Sequence, residues 1–402
     1  MSDTLREKDP TTVQQQSLAL RELYREQAVM EAARDATAGV WTLSEEEARF
    51  AASQWVMIWR RFRRNRAAIV GGVIVLIFYL CAFLGDFIAP YSLTTRFVEN
   101  TYIPPQPIHF FDDDGALRPF VYRVESGYDE NLRRVNVITD EKIYLEFFAH
   151  GDSYRFLGLI DTDIHLFQAP GGIVSLLGTD RQGRDLFSRI ILGSQISLTV
   201  GLVGVILSLV FGTVLGIVSG YYGGIVDEII QRAIELVRAF PSIPLWMALS
   251  AALPQNWSQI QTYFAVTVIL SLIGWTWLAR QLRGQVLALR NSDYVLAAKL
   301  AGASDARIIF KHLVPATMGQ IIVVATLNLP AMILAETALS FLGLGLRPPT
   351  TSWGVLLQEA QNLPSVALYP WVLTPAIFIV VVILAFSFLG DGLRDAADPY
   401  TV

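Results

Sequence analysis

Between Ile190 and Val226 the chain carries no Asp, Glu, Lys or Arg, and a run of that length has few places to go. At about 1.5 Å of rise per residue, roughly twenty apolar residues cross a hydrocarbon core of about 30 Å. Further uncharged runs lie at Ala67–Gly85, at Ala239–Ala279, at His312–Ala335 and within Trp371–Gly390. Composition agrees, with 53% hydrophobic and 17% charged residues, where soluble domains hold roughly 25% charged. The run from Ala239 is interrupted at Pro254-Gln255-Asn256-Trp257-Ser258-Gln259, which divides it into a third and a fourth span. The expectation is therefore an all-α integral membrane protein with six transmembrane helices and both termini on one side. The first apolar run begins too far from Met1 for a cleavable signal, so it is expected to stay in the protein.

The charges, −5 in sum, are segregated along the chain. Before the first span, WVMIWRRFRRNR holds Arg60, Arg61, Arg63, Arg64 and Arg66 beside Trp55 and Trp59. Aromatics and cations next to an apolar run point to lipid headgroups on the cytoplasmic side rather than to nucleic acid. The loop between spans four and five carries Arg280, Arg283, Arg290, Lys299, Arg307 and Lys311 against Asp293 and Asp305, which also reads as cytoplasmic. Residues 90–180 hold seven basic and fourteen acidic residues, with stretches such as FVYRVE and NVITDEKIYLEFF that alternate like strands. They are expected to form a partly β extracytoplasmic insertion between spans one and two. The expected organisation is a cytoplasmic tail at 1–54, a basic interfacial segment at 55–66 and a first transmembrane helix at 67–89. The insertion at 90–180 follows, then a five-helix core at 181–402 with a cytoplasmic loop at 284–315.

Gly212, Gly216 and Gly220 recur every fourth residue, which places them on one helix face and invites close approach of a second backbone. In SDYVLAAKLAGASDARIIFKHLVP, Ser292–Pro315, two short helices fit. Ser292 or Asp293 caps the first, Gly302 ends it, and Ser304 caps the second. Ala297, Ala298, Gly302 and Ala303 give a smooth surface on which another protein can sit, with Ser304 and Arg307 beside it. A solvated amphipathic loop without a partner fits the same spacing. Asn328 and Glu336 stand in otherwise apolar sequence, and polar groups at membrane depth mark either a water-lined path or a bond between helices. Cys81 reads as helix packing. His109, His150, His165 and His312 are scattered without metal-ligand spacing, so no metal site is expected.

The Ser292–Pro315 segment resembles the coupling loop of binding-protein-dependent ABC importer permeases, matched at Ala297, Ala298, Gly302 and Pro315, with Leu296 where an acidic residue is common. LGTDRQGRDLFSRIILGSQISL from Leu177, ETALSFLGLG from Glu336 and GDGLRDAADP from Gly390 are similar to the C-type permease of the dipeptide/oligopeptide branch. The resemblance implies the six-helix type I permease fold of a bacterial inner membrane protein with no catalytic residues of its own. It further implies a second homologous permease, two ABC ATPase subunits and an extracytoplasmic substrate-binding protein, with alternating access as the mechanism. ATP and Mg would be bound by the partner subunits, and this chain has no GxxxxGK[ST] phosphate loop of its own. Peptide is the expected cargo, with an oligosaccharide or an opine as alternatives within the family. An ATP-independent secondary transporter is the alternative outside it, although such proteins show inverted repeats or several intramembrane charges.

Overall fold

The computed structural model describes residues 54–397, apart from 129, 131–133, 157 and 255. The chain forms two units, 1–57 and 58–402, and of the first only the opening turn of α1 (Gln54–Phe62) is described. The tail expected at 1–54 thus lies outside the described residues save for its last position. In the second unit α2 (Arg66–Phe83) starts at Asn65, whose side chain accepts the Ala68 N–H at 3.1 Å. The short α3 (Gly85–Ile88) follows it.

Beyond the 90–180 segment the elements are almost all helical. They are α4 (Leu186–Tyr222), α5 (Gly224–Arg238), α6 (Ser242–Ala251), α7 (Gln259–Leu289), α8 (Asp293–Leu300) and α9 (Asp305–Ile308). A π turn over Ile309–Leu313 joins α9 to α10 (Val314–Phe341), and α11 (Trp353–Leu357), α12 (Leu363–Leu368) and α13 (Thr374–Ala397) complete the series.

Among the described residues five helices are long and apolar enough to cross a membrane, against the six expected: Arg66–Phe83, Leu186–Tyr222, Gln259–Leu289, Asp305–Phe341 and Pro370–Ala397. The third expected span, between Ala239 and Pro254, is the ten-residue α6, which at about 1.5 Å per residue reaches half of a 30 Å core. Pro241 stands at its N-terminal boundary, and the turn through Pro254 closes the other end. The residues before it, read from sequence as the end of span two, turn at Gly223 (φ +67) into the amphipathic α5.

The seam between α4 and α7 is set by the three glycines. A β-carbon on Gly212 would stand 2.9 Å from the Trp275 carbonyl oxygen, and one on Gly216 would stand 2.7 Å from that of Ala279. On Gly220 it would meet the Arg283 oxygen at 2.9 Å, so the backbones are as close as the missing side chains allow. One core cluster joins α2, α4, α10, α11 and α13 through Val75, Ile190, Ile333, Trp353 and Val382. A second joins α4, α7 and α10 through Val205, Leu270 and Met332. Side chains that face away, such as Val70, Leu76, Val210, Val214 and Ile377, are apolar yet exposed, as a lipid-facing surface requires.

The 90–180 segment holds β1 (His109–Phe111), β2 (Leu117–Tyr128) and β3 (Arg134–Tyr144) in one antiparallel sheet, and β4 (Glu146–Phe156) with β5 (Ile160–Gln168) in another. Val121, Ile143, Leu145 and Phe167 form its own small core with Tyr91 and Val174. It is tied to the rest of the chain by the Tyr91 N–H, which donates to Ser188 Oγ of α4 at 3.2 Å, and by the Tyr102 ring, which stacks on Tyr369 just after α12 at 3.9 Å between centroids.

Candidate functional site

The loop after α7 is built as two capped helices held firmly at the root. Ser292 occupies the N-cap position of α8, but its hydroxyl donates back to the Leu289 carbonyl at 2.6 Å rather than capping the new helix. The helix ends in a Schellman arrangement, with Gly302 N–H on Lys299 O and Ala303 N–H on Ala298 O, both at 3.0 Å. Gly302 sits at φ +77, the left-handed conformation that glycine adopts without cost. Ser304 Oγ then accepts the Arg307 N–H at 3.4 Å and opens α9.

Val295 and Ile308 are fully buried against Ile217, Tyr221, Leu282 and Val286, so the loop rests on the ends of α4 and α7. Tyr221 donates its hydroxyl to Asp305 at 2.7 Å, and the Lys299 ammonium stands 5.3 Å from the centre of the same ring. Beneath them Arg283 grips Asp227 in two bonds of 2.5 and 2.6 Å, which holds that carboxyl below its ordinary range. Arg290 donates to the carbonyls of Gly220 and Tyr221 at 3.2 and 3.4 Å, satisfying the end of α4.

Of the residues expected to form a docking surface, Ala297, Gly302, Ser304 and Arg307 are exposed, while Ala298 and Ala303 are half-buried against the root. Sequence reading missed the most prominent group: Leu300 is 90% exposed at the tip of α8, and Phe310 is 73% exposed in the π turn. Two large apolar side chains flanking small ones is a surface that gains by being covered.

The two intramembrane polar candidates part company. Asn328 lines a cavity of about 370 Å³ together with Arg238, Ser242, Trp246 and Trp277. Its Nδ2 and the Trp246 Nε1 are both buried without a partner, and both are donors. Trp246 gave no sequence signal beyond lying in an apolar run. Glu336 is elsewhere. It is fully buried, with Oε1 accepting from Ser340 Oγ at 2.7 Å and Oε2 from Ser197 Oγ at 3.2 Å. Ser197 Oγ in turn accepts the Trp353 N–H at 3.1 Å, and Ser340 Oγ accepts the Leu346 N–H at 3.1 Å. Of the two readings open for Glu336, the bond between helices is the one seen in this conformation: the Ser197 and Ser340 hydroxyls donate to its two oxygens and link α4, α10 and the start of α11. Glu336→Ala is expected to lower the unfolding midpoint in detergent by several degrees, since two buried hydroxyls lose their acceptor at about 1–3 kcal/mol. Glu336→Gln, which keeps one carbonyl acceptor, should lose less. A Glu336→Ala chain melting with the parent would remove the node.

The segment Thr179–Arg189 is a second polar construction. Asp180 Oδ1 accepts the N–H groups of Gln182 and Arg184 at 2.7 and 3.0 Å, around Gly183 at φ +70. Its Oδ2 accepts from Arg184 Nε at 2.7 Å and Arg189 Nη1 at 2.5 Å. Asp185 caps α4, taking the Ser188 N–H and hydroxyl at 2.7 Å and the Ser175 hydroxyl at 2.9 Å. Burial pushes its carboxyl up to about 6 despite those bonds.

Residues 212–401, which include the three seam glycines, the loop and α13, match the family described as binding-protein-dependent transport system inner membrane component. Residues 53–105, around α2, match the N-terminal TM domain of oligopeptide transport permease C. The oligopeptide transport system permease protein OppC of Bacillus subtilis (strain 168) is 32% identical over 348 residues, 86% of this chain and 90% of its own. The chain belongs to this transport permease family. The permease is also similar to the dipeptide transport system permease protein DppC of the same organism, at 33% identity over 85% of this chain and 84% of that one. Among solved structures, the MetNI methionine ABC transporter in its inward-facing conformation is 16% identical with a TM-score of 0.42, covering 53% of this chain and 98% of that chain. As a member of the family, and with its long apolar helices, the permease is a multi-pass membrane protein. The family matches leave the strands of the 90–180 segment outside them, except for its first residues.

Proposed function

We propose that this permease is the membrane subunit of an ATP-driven, binding-protein-dependent peptide importer of the bacterial inner membrane, working as one half of a path that a second permease completes. The single observation that carries the reading is the α8–α9 loop: it exposes Ala297, Gly302 and Leu300 while Tyr221, Asp305 and Arg290 fix it to the long helices. A lever needs both properties, a surface to be pushed and a rigid connection to what moves. Closure of an ATPase dimer against the loop then shifts α4 and α7 as a pair, because the glycine seam leaves no slack between them. ATP and Mg bind to the ATPase subunits, and a substrate-binding protein delivers cargo at the opposite face.

Six crossings are counted in this reading by joining α6 to the turn that follows it, which the second permease would cover. The basic loop and the N-terminus lie in the cytoplasm and residues 90–180 lie outside. The cavity around Asn328 faces the path, where its free N–H donors and the Arg238 guanidinium, 5.6 Å from the centre of the Trp277 ring, meet peptide carbonyls. The names of the relatives, an oligopeptide and a dipeptide permease, favour peptide over the other cargoes.

The test is ATP-driven uptake of short peptides into proteoliposomes holding this chain with the permease, ATPase and binding-protein partners expressed with it. In the same vesicles, single cysteines at Asp113 and Ser304 in a Cys81→Ser chain should react with an impermeant thiol reagent from opposite sides. Uptake that persists without ATPase subunits would refute the reading, and labelling from one side would refute the orientation.

A further inference from the structure

A second cavity, of about 770 Å³, opens at the end of the bundle beside the Thr179–Arg189 segment, and its charge is uneven. Arg96, Arg181, Arg184 and Arg189 all line it, against Glu359 as the lining carboxylate. Asp180 lies beneath, fully buried, and divides one oxygen between Arg184 and Arg189. Glu359 is partly engaged as well, for its Oε1 accepts the backbone N–H of Arg181 at 2.9 Å. Among the described residues neither Arg96 nor Arg181 forms an ion pair, and both are exposed at the rim. Deeper in, the Arg189 side chain is 4% exposed and its Nε is buried without a partner.

A buried guanidinium with a free N–H, below two unpaired ones, is costly to leave bare and fits a carboxylate, which accepts from several N–H groups in one plane. The remaining wall suits what a carboxylate at a chain end carries with it. Pro348 and Leu356 supply apolar surface for a side chain, and Gln358 supplies an amide for a peptide group. The volume accommodates a few residues and falls within the range of small-molecule sites. We propose that this cavity is an entry site that takes the terminal carboxylate of a peptide before it passes to the path, with Arg96, Arg181 and Arg189 as its anion-binding lining. The identity of the ligand rests on the peptide reading above; the anion preference does not.

The experiment uses the full chain with a reporter thiol, Asn362→Cys in a Cys81→Ser background, since Asn362 is exposed on the lining and its side chain makes no cap bond. Labelling rates are compared for anionic sulfonatoethyl methanethiosulfonate and cationic trimethylammonioethyl methanethiosulfonate. A net positive cavity makes the anion react faster, and Arg96→Gln or Arg181→Gln should each cut the anion-to-cation ratio by roughly a few-fold, because losing one positive charge slows the anion and speeds the cation. Trialanine should then slow labelling at a concentration roughly tenfold below that of trialanine amide, and the double Arg96→Gln, Arg181→Gln chain should lose that difference. Equal rates for the two reagents would overturn the anion site. An anion preference with equal protection by acid and amide would overturn the peptide carboxylate as its ligand. A chain that shows the protection yet supports no ATP-driven uptake would count against the import reading and leave this site standing.

Discussion

Gly216→Leu is expected to prevent α4 and α7 from seating, with most of the chain lost from the membrane fraction or aggregating on extraction. A β-carbon at this position would stand 2.7 Å from the Ala279 carbonyl oxygen and 2.9 Å from its α-carbon. Both contacts are backbone, so no side-chain rotation relieves them and a whole helix has to move. Overpacking of this kind costs typically 1–3 kcal/mol where side chains can adjust, and more where they cannot. Leucine also favours helix over glycine by about 1 kcal/mol, so an open seam would give the opposite sign. Gly284→Ala is the matched control, because a β-carbon there meets nothing within 4 Å and the same helix preference acts alone. It should melt at or slightly above the parent temperature. A Gly216→Leu chain that extracts as a monodisperse protein and melts within a degree or two of the parent would remove the seam.

The seam also shows which parts of the fold were legible. Glycines at every fourth position state in sequence that two backbones approach, because nothing else benefits from their absent side chains along one face. Long uncharged runs state their own burial in lipid in the same way, and five of the expected spans correspond to full-length helices. The third did not, since apolar composition near Ala239 is shared by a crossing helix and by a short one between two prolines. The amphipathic α5 was hidden for a related reason. Its first residues continue the apolar run, and the break lies in Gly223 and Gly224, at φ +67 and +54.

The candidate sites divide along similar lines. The small-residue loop was visible because Gly302 and the Ser304 cap are local features, fixed within a few residues, whereas the cap expected of Ser292 was lost to the Leu289 carbonyl. Whether Leu300 points out or in depends on which face of α8 meets α4, and Val295 decides that through contacts far away in sequence, as the buried Ile308 does for Phe310 beside it. Glu336 and Asn328 looked alike as polar residues on one apolar helix. Their difference comes from neighbours on other elements: Ser197 and Trp353 enclose the first, and Arg238 and Trp246 line an open space around the second. The four arginines of the second cavity come from two segments more than eighty residues apart, Arg96 and Arg181–Arg189, which the β segment folds together.

Leu300→Glu is expected to detach the ATPase subunits while leaving the permease itself unchanged. The side chain is 90% exposed in the free chain, so its replacement disturbs no internal packing and the unfolding temperature should stay with the parent. Covering a leucine fully contributes about 1.5–3 kcal/mol, and its loss alone weakens docking roughly ten- to a hundredfold. A carboxylate held in the covered site without a partner adds to that. Gly302→Arg is a poorer probe, because at φ +77 any other residue strains the Schellman turn and alters the loop before a partner arrives. Arg290→Ala provides the contrast. Arg290 is not on the exposed surface but holds the Gly220 and Tyr221 carbonyls at the root, so its loss should leave the ATPase bound and slacken the lever. The expected pattern is poor ATPase co-purification for Leu300→Glu, and for Arg290→Ala normal co-purification with reduced substrate-stimulated hydrolysis. Full ATPase retention by Leu300→Glu would move the docking surface away from α8, and identical behaviour of the two variants would remove the distinction between surface and mount.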